Sequence, residues 1–333
     1  MKENILITGI TGFVGSHLAD FILENFSDNV NIFATRRYHL SRMDNVYHII
    51  DKVNWVDCDL TDPIACKKLI KSVNPDRVFH CAAESFVSPS WDHPTRYMSV
   101  NYIGTLNLLE ALREVGSESI FHIPGSGEEY GLIHEDELPI TETTVLRPVN
   151  PYAVTKVAQD LIGYVYNQSY GTKVIRTRAF NHEGPRREKF FGIPWYAYQI
   201  AKIELGLQDP IIKRGHIDDY RNFTHVRDMV EAYWISTEVC EPGELYLIGS
   251  DENEKLYTFR QALEMLIKKS TFKGDITHIE DSKYVRPTNV PRLVGDTSKF
   301  RSVSGWTPKI SFEKILDDTL EYWREQLKNN SRR

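Results

Sequence analysis

The amino terminus places a short apolar segment directly before three closely spaced glycines, and this pattern constrains the fold more than any other in the chain. Residues 4–8 are typical of a strand, Gly9, Gly12 and Gly15 form a turn, and residues 16–25 are typical of a helix. Glycines let the backbone approach a pyrophosphate, and the helix N-terminus faces its negative charge. The pattern predicts dinucleotide binding, although the GxxGxxG spacing is one residue longer than the usual fingerprint. Glycines needed only for packing are the alternative.

The second predicted strand, residues 30–35, ends on two arginines instead of an acidic residue. Arg36 and Arg37 stand where an NAD enzyme carries the carboxylate that binds the ribose diol. Guanidinium groups bind a 2′-phosphate, so the pair favours NADP over NAD, with a solvated surface pair as the alternative. Asp59, after the third strand, could accept a hydrogen bond from adenine. The residues expected to contact the cofactor are Gly9, Thr11, Gly12, Phe13, Val14, Gly15, Arg36, Arg37, Asp59, Leu60, Ala82, Ala83, Tyr152 and Lys156.

A tyrosine and a lysine four residues apart are the first candidates for catalysis. On a helix, Tyr152 and Lys156 share a face, so the ammonium can stabilise a phenolate that otherwise forms only near pH ~10. Ser126 and Glu128 lie on a loop upstream and add a hydroxyl and a carboxylate. The four residues predict an acid/base site beside a redox cofactor.

The order of predicted elements indicates an α/β fold. Up to about residue 180, strands and helices alternate, as in a Rossmann-type doubly wound parallel sheet, with helices expected at 96–115 and 150–169. Beyond Asn181 the rhythm breaks and prolines separate shorter elements. We therefore expect a cofactor-binding domain over residues 1–180 and a smaller C-terminal substrate lobe over 181–330, with residues 220–250 returning to the first domain. The basic end, residues 328–333, is expected to be frayed.

Composition narrows the class of protein. A chain of 333 residues with a net charge of −6 is typical of a soluble enzyme and argues against a general nucleic-acid binder. The four cysteines lack CxxC spacing and the eleven histidines lack an HExxH pattern, so no metal site is expected. No segment approaches the ~20 apolar residues of a membrane helix, and the apolar start is too short for a signal peptide. A cytoplasmic location with no membrane partner is the expectation.

Two motifs resemble the extended short-chain dehydrogenase/reductase family: Thr8-Gly9-x-x-Gly12-x-x-Gly15 and Tyr152-x-x-x-Lys156. Within it the chain is most similar to GDP-mannose 4,6-dehydratases, through Arg36-Arg37, the segment Asn181-His182-Glu183-Gly184-Pro185-Arg186-Arg187 and Tyr284-Val285-Arg286-Pro287. It also resembles GDP-4-keto-6-deoxymannose reductases, through Glu128-Glu129-Tyr130-Gly131, Leu146-Arg147-Pro148 and Phe223-Thr224-x-Val226-Arg227-Asp228. The resemblance covers nearly the whole chain and implies a GDP-linked sugar as the substrate.

The resemblance to the dehydratases implies roles for the four catalytic candidates. Tyr152 would take the C4 hydroxyl proton of the sugar while hydride passes to NADP, and Glu128 would then remove the C5 proton. Ser126, which stands where these enzymes have Thr, would assist Tyr152 or help the C6 hydroxyl to leave. Because Glu128 also occurs in the reductase neighbours, reductase activity and C4 oxidation or epimerisation remain open.

A sugar nucleotide carries a pyrophosphate, which prefers guanidinium partners. The candidate substrate contacts implied by the resemblance are Ser85, Glu128, Asn181, Arg186, Arg221 and Arg286, with Arg187 less certain. Three positions depart from the dehydratase pattern: Gly184 replaces Ser, Asn222 replaces Asp and Asn289 replaces Glu. These changes leave the identity of the sugar open, whether mannose or a heptose.

Two further expectations concern assembly and an inactive alternative. The loop with Tyr38, His39 and Arg42 matches one that crosses to a neighbouring subunit in the tetrameric dehydratases, so a homodimer or homotetramer is expected from the resemblance. A catalytically silent nucleotide-sugar sensor is the alternative outside enzymes. A sensor has no need for a helical tyrosine and lysine pair, which argues against it.

Overall fold

The central element of the fold is the first strand of the chain, which pairs on both sides. The computed structural model describes residues 2–251 and 254–330. The terminal segment expected to fray ends in residues 331–333, which lie outside the described residues. The strands are β1 (Glu3–Thr8), β2 (Val30–Arg36), β3 (Asn54–Asp57), β4 (Arg77–His80), β5 (Ile120–Ser126), β6 (Val174–Ala179), β7 (His182–Glu183), β8 (Ile211–Arg214), β9 (Tyr220–Arg221), β10 (Thr224–His225), β11 (Leu245–Ile248), β12 (Tyr257–Thr258), β13 (Thr277–Glu280) and β14 (Arg292–Leu293).

Helices follow most of the strands. They are α1 (Phe13–Phe26), α2 (Pro63–Val73), α3 (Pro94–Tyr97), α4 (Gly104–Val115), α5 (Pro151–Tyr170), α6 (Gly192–Glu204), α7 (Val226–Val239), α8 (Phe259–Lys268), α9 (Ser298–Ser304) and α10 (Phe312–Asn330). A π-helical stretch, Met98–Ile103, joins α3 to α4, so the helix expected at 96–115 is one continuous segment with an irregular middle. No helix in residues 2–251 and 254–330 is long and apolar enough to cross a membrane.

Seven parallel strands form the main sheet in the order β3-β2-β1-β4-β5-β6-β11. The predicted doubly wound sheet is confirmed. Strand order reverses between β1 and β4, and in such sheets ligands bind at the carboxyl ends of the strands beside this reversal. Both catalytic segments of the sequence lie near this edge, because Ser126 ends β5 and α5 follows it.

The sheet is buried on both faces. Ile5 and Ile7 of β1 pack in a cluster with α1 and α7, and Leu6 between them packs in a second cluster with α2 and α4. All three side chains are fully buried. A continuous apolar run is typical of a parallel strand covered on both sides, and each such side chain contributes roughly 1.5–3 kcal/mol.

The helix expected at 16–25 begins three residues earlier, at Phe13, and ends at Phe26. Gly12 is its N-cap, and the Gly12 amide donates to the Gly9 carbonyl at 3.0 Å. This tight turn brings Phe13 and Val14 into the first helical turn, where their amides point out of the helix end. The expected boundary was wrong because apolar residues between glycines do not distinguish a loop from a helix.

The second half of the chain builds a lobe and also returns to the sheet. Helices α6, α8 and α10 share one apolar cluster, and β8 pairs with β13 beside it. Between them, α7 packs on α1, and β11 adds to β6 in parallel, with Leu245 opposite Arg176. The division at residue 180 stays a prediction.

Candidate active site

Helix α5 carries both members of the tyrosine and lysine pair. Its first turn is fixed by Asn150, whose side-chain oxygen accepts the Ala153 N–H at 2.8 Å, and by Pro151 at the first helical position. Tyr152 and Lys156 are therefore held one turn apart, and both are buried. The phenol ring packs against Val87, Trp91 and Tyr97.

The ammonium of Lys156 bridges α5 and β5. It donates to the Pro124 carbonyl at 2.7 Å and also to the side-chain oxygen of Gln159. Burial lowers the pKa of Lys156 to about 8, and the Glu129 carboxylate is the largest influence in the opposite direction. That the ammonium stabilises the Tyr152 phenolate stays a prediction.

A buried row of polar side chains continues from Lys156 to the first strand. The Gln159 amide donates to the Thr105 hydroxyl at 2.7 Å, Thr105 contacts His80 at 2.8 Å, and His80 contacts the Thr8 hydroxyl at 2.8 Å. Thr8 is the last residue before the glycine turn. Sequence reasoning did not find this row, because its members are far apart in the chain and have no shared spacing.

Ser126 and Tyr152 face each other. The Ser126 side chain lies close to the phenol, and its hydroxyl oxygen accepts the Glu128 N–H at 3.2 Å. Burial raises the pKa of Tyr152 above its ordinary value, whereas Ser126 and the Arg187 cation oppose that rise. The predicted pair of hydroxyls is thus brought together, and the neighbouring cation is Arg187, which the sequence analysis gave only as a less certain contact to the substrate.

Glu128 lies at the same site, half-buried. Its Oε2 accepts a hydrogen bond from the Asn150 side-chain amide at 3.2 Å. Burial raises the pKa of Tyr152 and lowers that of Arg221, and the negative charge of Glu128 adds to the first shift and opposes the second. The carboxylate is therefore near the phenol on one side and near a buried guanidinium on the other.

The glycine turn packs tightly against its own chain. Gly9 has φ +69°, and a Cβ there would lie 2.6 Å from the Ala82 backbone. A Cβ on Gly15 would lie 2.4 Å from the Gly9 carbonyl oxygen. Both positions therefore need glycine because the turn packs directly against neighbouring backbone, and the amides at the N-terminus of α1 are the groups that could bind a phosphate. Thr11, also in this turn, accepts a hydrogen bond from Asn45 at its carbonyl.

The two arginines after β2 have different surroundings. Arg36 makes an ion pair with Asp57 at 2.9 Å and lies over the Trp55 ring. Arg37 is exposed, and in the described part of the chain no hydrogen bond or ion pair engages its guanidinium. Its charge contributes to lowering the pKa of Asp59. Arg37 is the arginine with the greater freedom to bind an added phosphate.

The remaining cofactor candidates border the same edge of the sheet. Asp59 caps its own turn, since its Oδ1 accepts both the N–H and the hydroxyl of Thr61 at 2.9 and 2.8 Å. Leu60 is buried, and its carbonyl accepts the Asn107 side-chain amide at 2.8 Å. The Ala82 N–H donates to the Thr8 hydroxyl at 3.3 Å, while Ala83 is exposed.

The structure separates the two arginines that end the 181–187 segment. Arg186 has φ +68° and pairs with Asp20 of α1 at 2.6 Å. Arg187 lies over the ring of Phe191 at 4.0 Å and beside Glu183 at 3.2 Å. Of the two, Arg187 is the cation that acts on Tyr152, whereas the sequence favoured Arg186 as a contact to the substrate.

The other substrate candidates lie on several loops. Arg221 is buried and donates to the Tyr220 carbonyl at 2.8 Å, whereas Arg286 is exposed. Both lower the pKa of Asp219, which burial raises, so the two guanidiniums lie near one carboxylate. Ser85 is exposed, and the Asn181 carbonyl accepts the Thr224 N–H at 2.9 Å. Across residues 2–251 and 254–330, no cluster of three or more His, Cys, Asp or Glu side chains could hold a metal.

The parallel sheet, the glycine turn and the Ser126, Tyr152 and Lys156 site together define an extended short-chain dehydrogenase/reductase. The family model described as GDP-mannose 4,6 dehydratase matches residues 6–319. This chain belongs to that family.

Individual relatives agree with this assignment. A GDP-mannose 4,6-dehydratase of Yersinia enterocolitica is 32% identical, with 99% of this chain and 96% of the relative covered. A GDP-6-deoxy-D-mannose reductase of Pseudomonas aeruginosa is 29% identical over 98% of this chain and 99% of the relative. The solved structure of RMD from Pseudomonas aeruginosa complexed with NADPH has a TM-score of 0.81 and 28% identity, covering 98% of this chain and all of that one.

Proposed function

We propose that this protein is an NADP-dependent GDP-mannose 4,6-dehydratase, which converts GDP-mannose to the GDP-4-keto-6-deoxy sugar with loss of water. The position of Glu128 carries the proposal. Its carboxylate lies beside Ser126 and Tyr152, and elimination needs a base in addition to the group that acts on the C4 hydroxyl.

Each candidate catalytic residue has its own role in this reaction. Tyr152, as a phenolate assisted by Ser126, accepts the C4 hydroxyl proton. NADP, which the glycine turn and Arg37 would hold, would supply hydride acceptance at C4 and hydride donation at C6. The C4 ketone acidifies the C5 proton, which Glu128 accepts. The C6 hydroxyl leaves as water with a proton from Ser126 or a water molecule, and C5 regains a proton at the end.

The glycine turn and Arg37 fit NADP. A Cβ at Gly9 or Gly15 would collide with the backbone of Ala82 or of Gly9, so the glycines keep the tight turn that brings the N-terminus of α1 to the sheet edge, where a diphosphate would bind. Arg37 is exposed, and in the described residues its hydrogen bonds run through its backbone to Leu40 and Ser41, so its guanidinium can take the 2′-phosphate. NAD is the less favoured cofactor.

Substrate binding would rest on the lobe. Arg221 and Arg286, both acting on Asp219, can pair with the diphosphate of the GDP-sugar, while Ser85 and Asn181 contribute polar contacts. Arg187 is added to this set by its action on Tyr152. Arg186 is the weakest of the original candidates because Asp20 already neutralises it.

Reduction of a GDP-4-keto-6-deoxy sugar is the second candidate. It is favoured by the similarity to the Pseudomonas aeruginosa reductase over 98% of this chain. A reductase needs Ser126, Tyr152 and Lys156 but has no use for Glu128 as a base.

One incubation separates the two activities. The protein is mixed with GDP-mannose and catalytic NADP, and the sugar nucleotide is examined by mass spectrometry. Loss of one water without net NADPH formation supports the dehydratase. Unchanged GDP-mannose, together with NADPH consumption when a GDP-4-keto-6-deoxy sugar is supplied, would assign the reductase instead.

We also propose that the protein is a cytoplasmic homodimer or homotetramer. It has neither nucleic acid nor a membrane as a partner. Helix α5 exposes an apolar face built from Val154, Leu161, Tyr164 and Val165, and each is more than two-fifths exposed. A second copy of the chain would bury this face. Light scattering of L161E beside the unchanged protein tests it, because a monomer is expected only for the variant.

A further inference from the structure

A second glutamate, Glu129, adjoins the catalytic residue Glu128 and is completely buried. It ends the short helical turn Gly127–Glu129, which Ser126 caps. The Glu129 Oε1 accepts the Ser126 N–H at 2.7 Å, while the Ser126 hydroxyl accepts the Glu128 N–H at 3.2 Å. This reciprocal capping fixes the backbone from which the Ser126 hydroxyl reaches Tyr152.

The other carboxylate oxygen connects the turn to the sheet and to α5. Glu129 Oε2 lies 2.8 Å from Arg178 Nε on β6, and Arg178 donates to Asp160 on α5 at 2.6 Å. Asp160 is one helical turn beyond Lys156 and also pairs with Arg176 at 3.3 Å. One buried network therefore joins the Ser126 turn to the helix that carries the other catalytic residues.

The charges around Glu129 come from each element packed against it. Arg178 faces it from β6, Asp160 and Lys156 face it from α5, and Tyr130 is its neighbour in the chain. Burial and the Asp160 charge together raise the pKa of Glu129 to about 7, against the opposing effects of Arg178, the Ser126 N–H and Lys156.

The fold also makes room for this carboxylate. A Cβ on Gly125 would lie 2.6 Å from Glu129 Oε1, so no larger residue fits at position 125 while Glu129 keeps its place. The capping spacing, Ser126 followed three residues later by Glu129, is the sequence signal that could have revealed the contact.

We propose that Glu129 is a positioning residue for catalysis, which acts through the Ser126 backbone and through the charge that it presents to Tyr152 and Lys156. It has no role as a base, since it is completely buried, with Oε1 on the Ser126 N–H and Oε2 beside the Arg178 guanidinium. A turnover assay of this role rests on the proposed function. Amide hydrogen exchange also tests the role and does not rest on it.

The first variant is E129Q, which removes the charge with little change of shape. E204Q is the matched control, because the Glu204 side chain is also mostly covered, also pairs with an arginine, Arg324, and also accepts a backbone N–H, from Thr271. With GDP-mannose, E129Q should lose about tenfold in kcat with KM and NADP affinity within about twofold, and E204Q should keep its kcat.

A pH profile separates positioning from a general loss of structure. Because the Glu129 charge raises the pKa values of both Tyr152 and Lys156, its removal should move the whole kcat/KM profile to lower pH. E204Q should leave the profile in place. A tenfold loss with an unshifted profile in E129Q contradicts the proposal.

The double variant E129L/R178L guards against misfolding of E129Q, since a buried ion pair can be replaced by apolar residues without loss of the fold. Amide exchange measured by mass spectrometry should be about tenfold faster over residues 120–132 in this variant and unchanged there in E204Q. Unchanged exchange, or wild-type kcat in either folded Glu129 variant, would overturn the proposal. If the unchanged protein does not act on GDP-mannose, the proposed function fails while the exchange result still decides the role of Glu129.

Discussion

Asn150 connects the candidate base to the catalytic helix, because its amide nitrogen donates to Glu128 at 3.2 Å while its amide oxygen caps α5 at Ala153. One side chain thus sets the distance between the carboxylate and Tyr152, two residues further along. The base and the phenol cannot move independently without breaking one of these hydrogen bonds.

Loss of Asn150 should therefore affect catalysis and stability together. N150A is expected to lose about 1 kcal/mol of unfolding free energy, as for other N-caps, and about tenfold in kcat. D62A is the control, since Asp62 caps α2 by accepting the N–H groups of Ile64 and Ala65. Urea unfolding should show equal losses in both variants, and steady-state kinetics should show a loss of kcat only in N150A. Equal kcat values in N150A and D62A would mean that Asn150 does not contribute to catalysis.

Glu128 should be required for elimination but not for oxidation at C4. E128Q is expected to lose water from GDP-mannose about 100-fold more slowly, because general base catalysis contributes at least this much. Transient NADPH absorbance should still form in a single turnover. E135Q, at an exposed position, is the control and should match the unchanged protein. If E128Q loses water from GDP-mannose at the normal rate, Glu128 is not the base.

The two arginines after β2 should differ in their effect on cofactor choice. R37A is expected to weaken NADP binding about tenfold or more and to leave NAD binding unchanged, because a charge-assisted hydrogen bond to the 2′-phosphate is lost. R36A should have the smaller effect, since Asp57 already pairs with Arg36. Calorimetric titration with both cofactors gives the comparison. A larger loss in R36A would assign the phosphate to Arg36.

Activity should rise with pH, and Arg187 should set where the rise occurs. Only the phenolate of Tyr152 accepts a proton, and burial raises the pKa of Tyr152 while the Arg187 cation lowers it. R187Q should therefore move the acidic limb of kcat/KM to higher pH by about one unit. R186Q, which removes the partner of Asp20, should leave this limb unchanged. A shift in R186Q alone would reverse the roles of the two arginines.

The close packing of Gly9 against the Ala82 backbone can be tested by substitution. Gly9 and Gly116 both have positive φ, but a Cβ meets the Ala82 backbone at 2.6 Å in the first case and nothing within 4 Å in the second. G116A should cost about 1–2 kcal/mol of stability from backbone strain alone. G9A should cost more and should also abolish NADP binding. Thermal unfolding with and without NADP measures both effects, and equal losses would mean that Ala82 moves aside freely.

The main sheet was predictable because its signals are local. Apolar runs such as Ile5-Leu6-Ile7, each followed by a helical segment, predict a parallel sheet without knowledge of distant contacts. The start of α1 at Phe13 was missed because the three-residue difference depends on how tightly the turn closes on Gly9. The irregular Met98–Ile103 stretch has no pattern that could reveal it.

The candidate site, like the sheet, was predictable where the signal lies in neighbouring residues of the sequence. Ser126, Glu128 and Tyr152 were identified by spacing and family resemblance, and the structure brings them together. The choice between Arg186 and Arg187 depended on which side chain Asp20 neutralises, and Asp20 is 166 residues away from Arg186. Such long-range pairings are set by tertiary packing, which a single sequence does not record.

The pairing of β11 with β6 means that the protein cannot be divided by a single cut. In a fragment that ends at residue 180, β6 would be an exposed edge strand of the sheet. Its amides and carbonyls on that side would be unpaired. It would also lack α7, which covers α1. Such a fragment is expected to self-associate, so separate production of the cofactor-binding half requires the 226–248 stretch to be joined back by a designed linker.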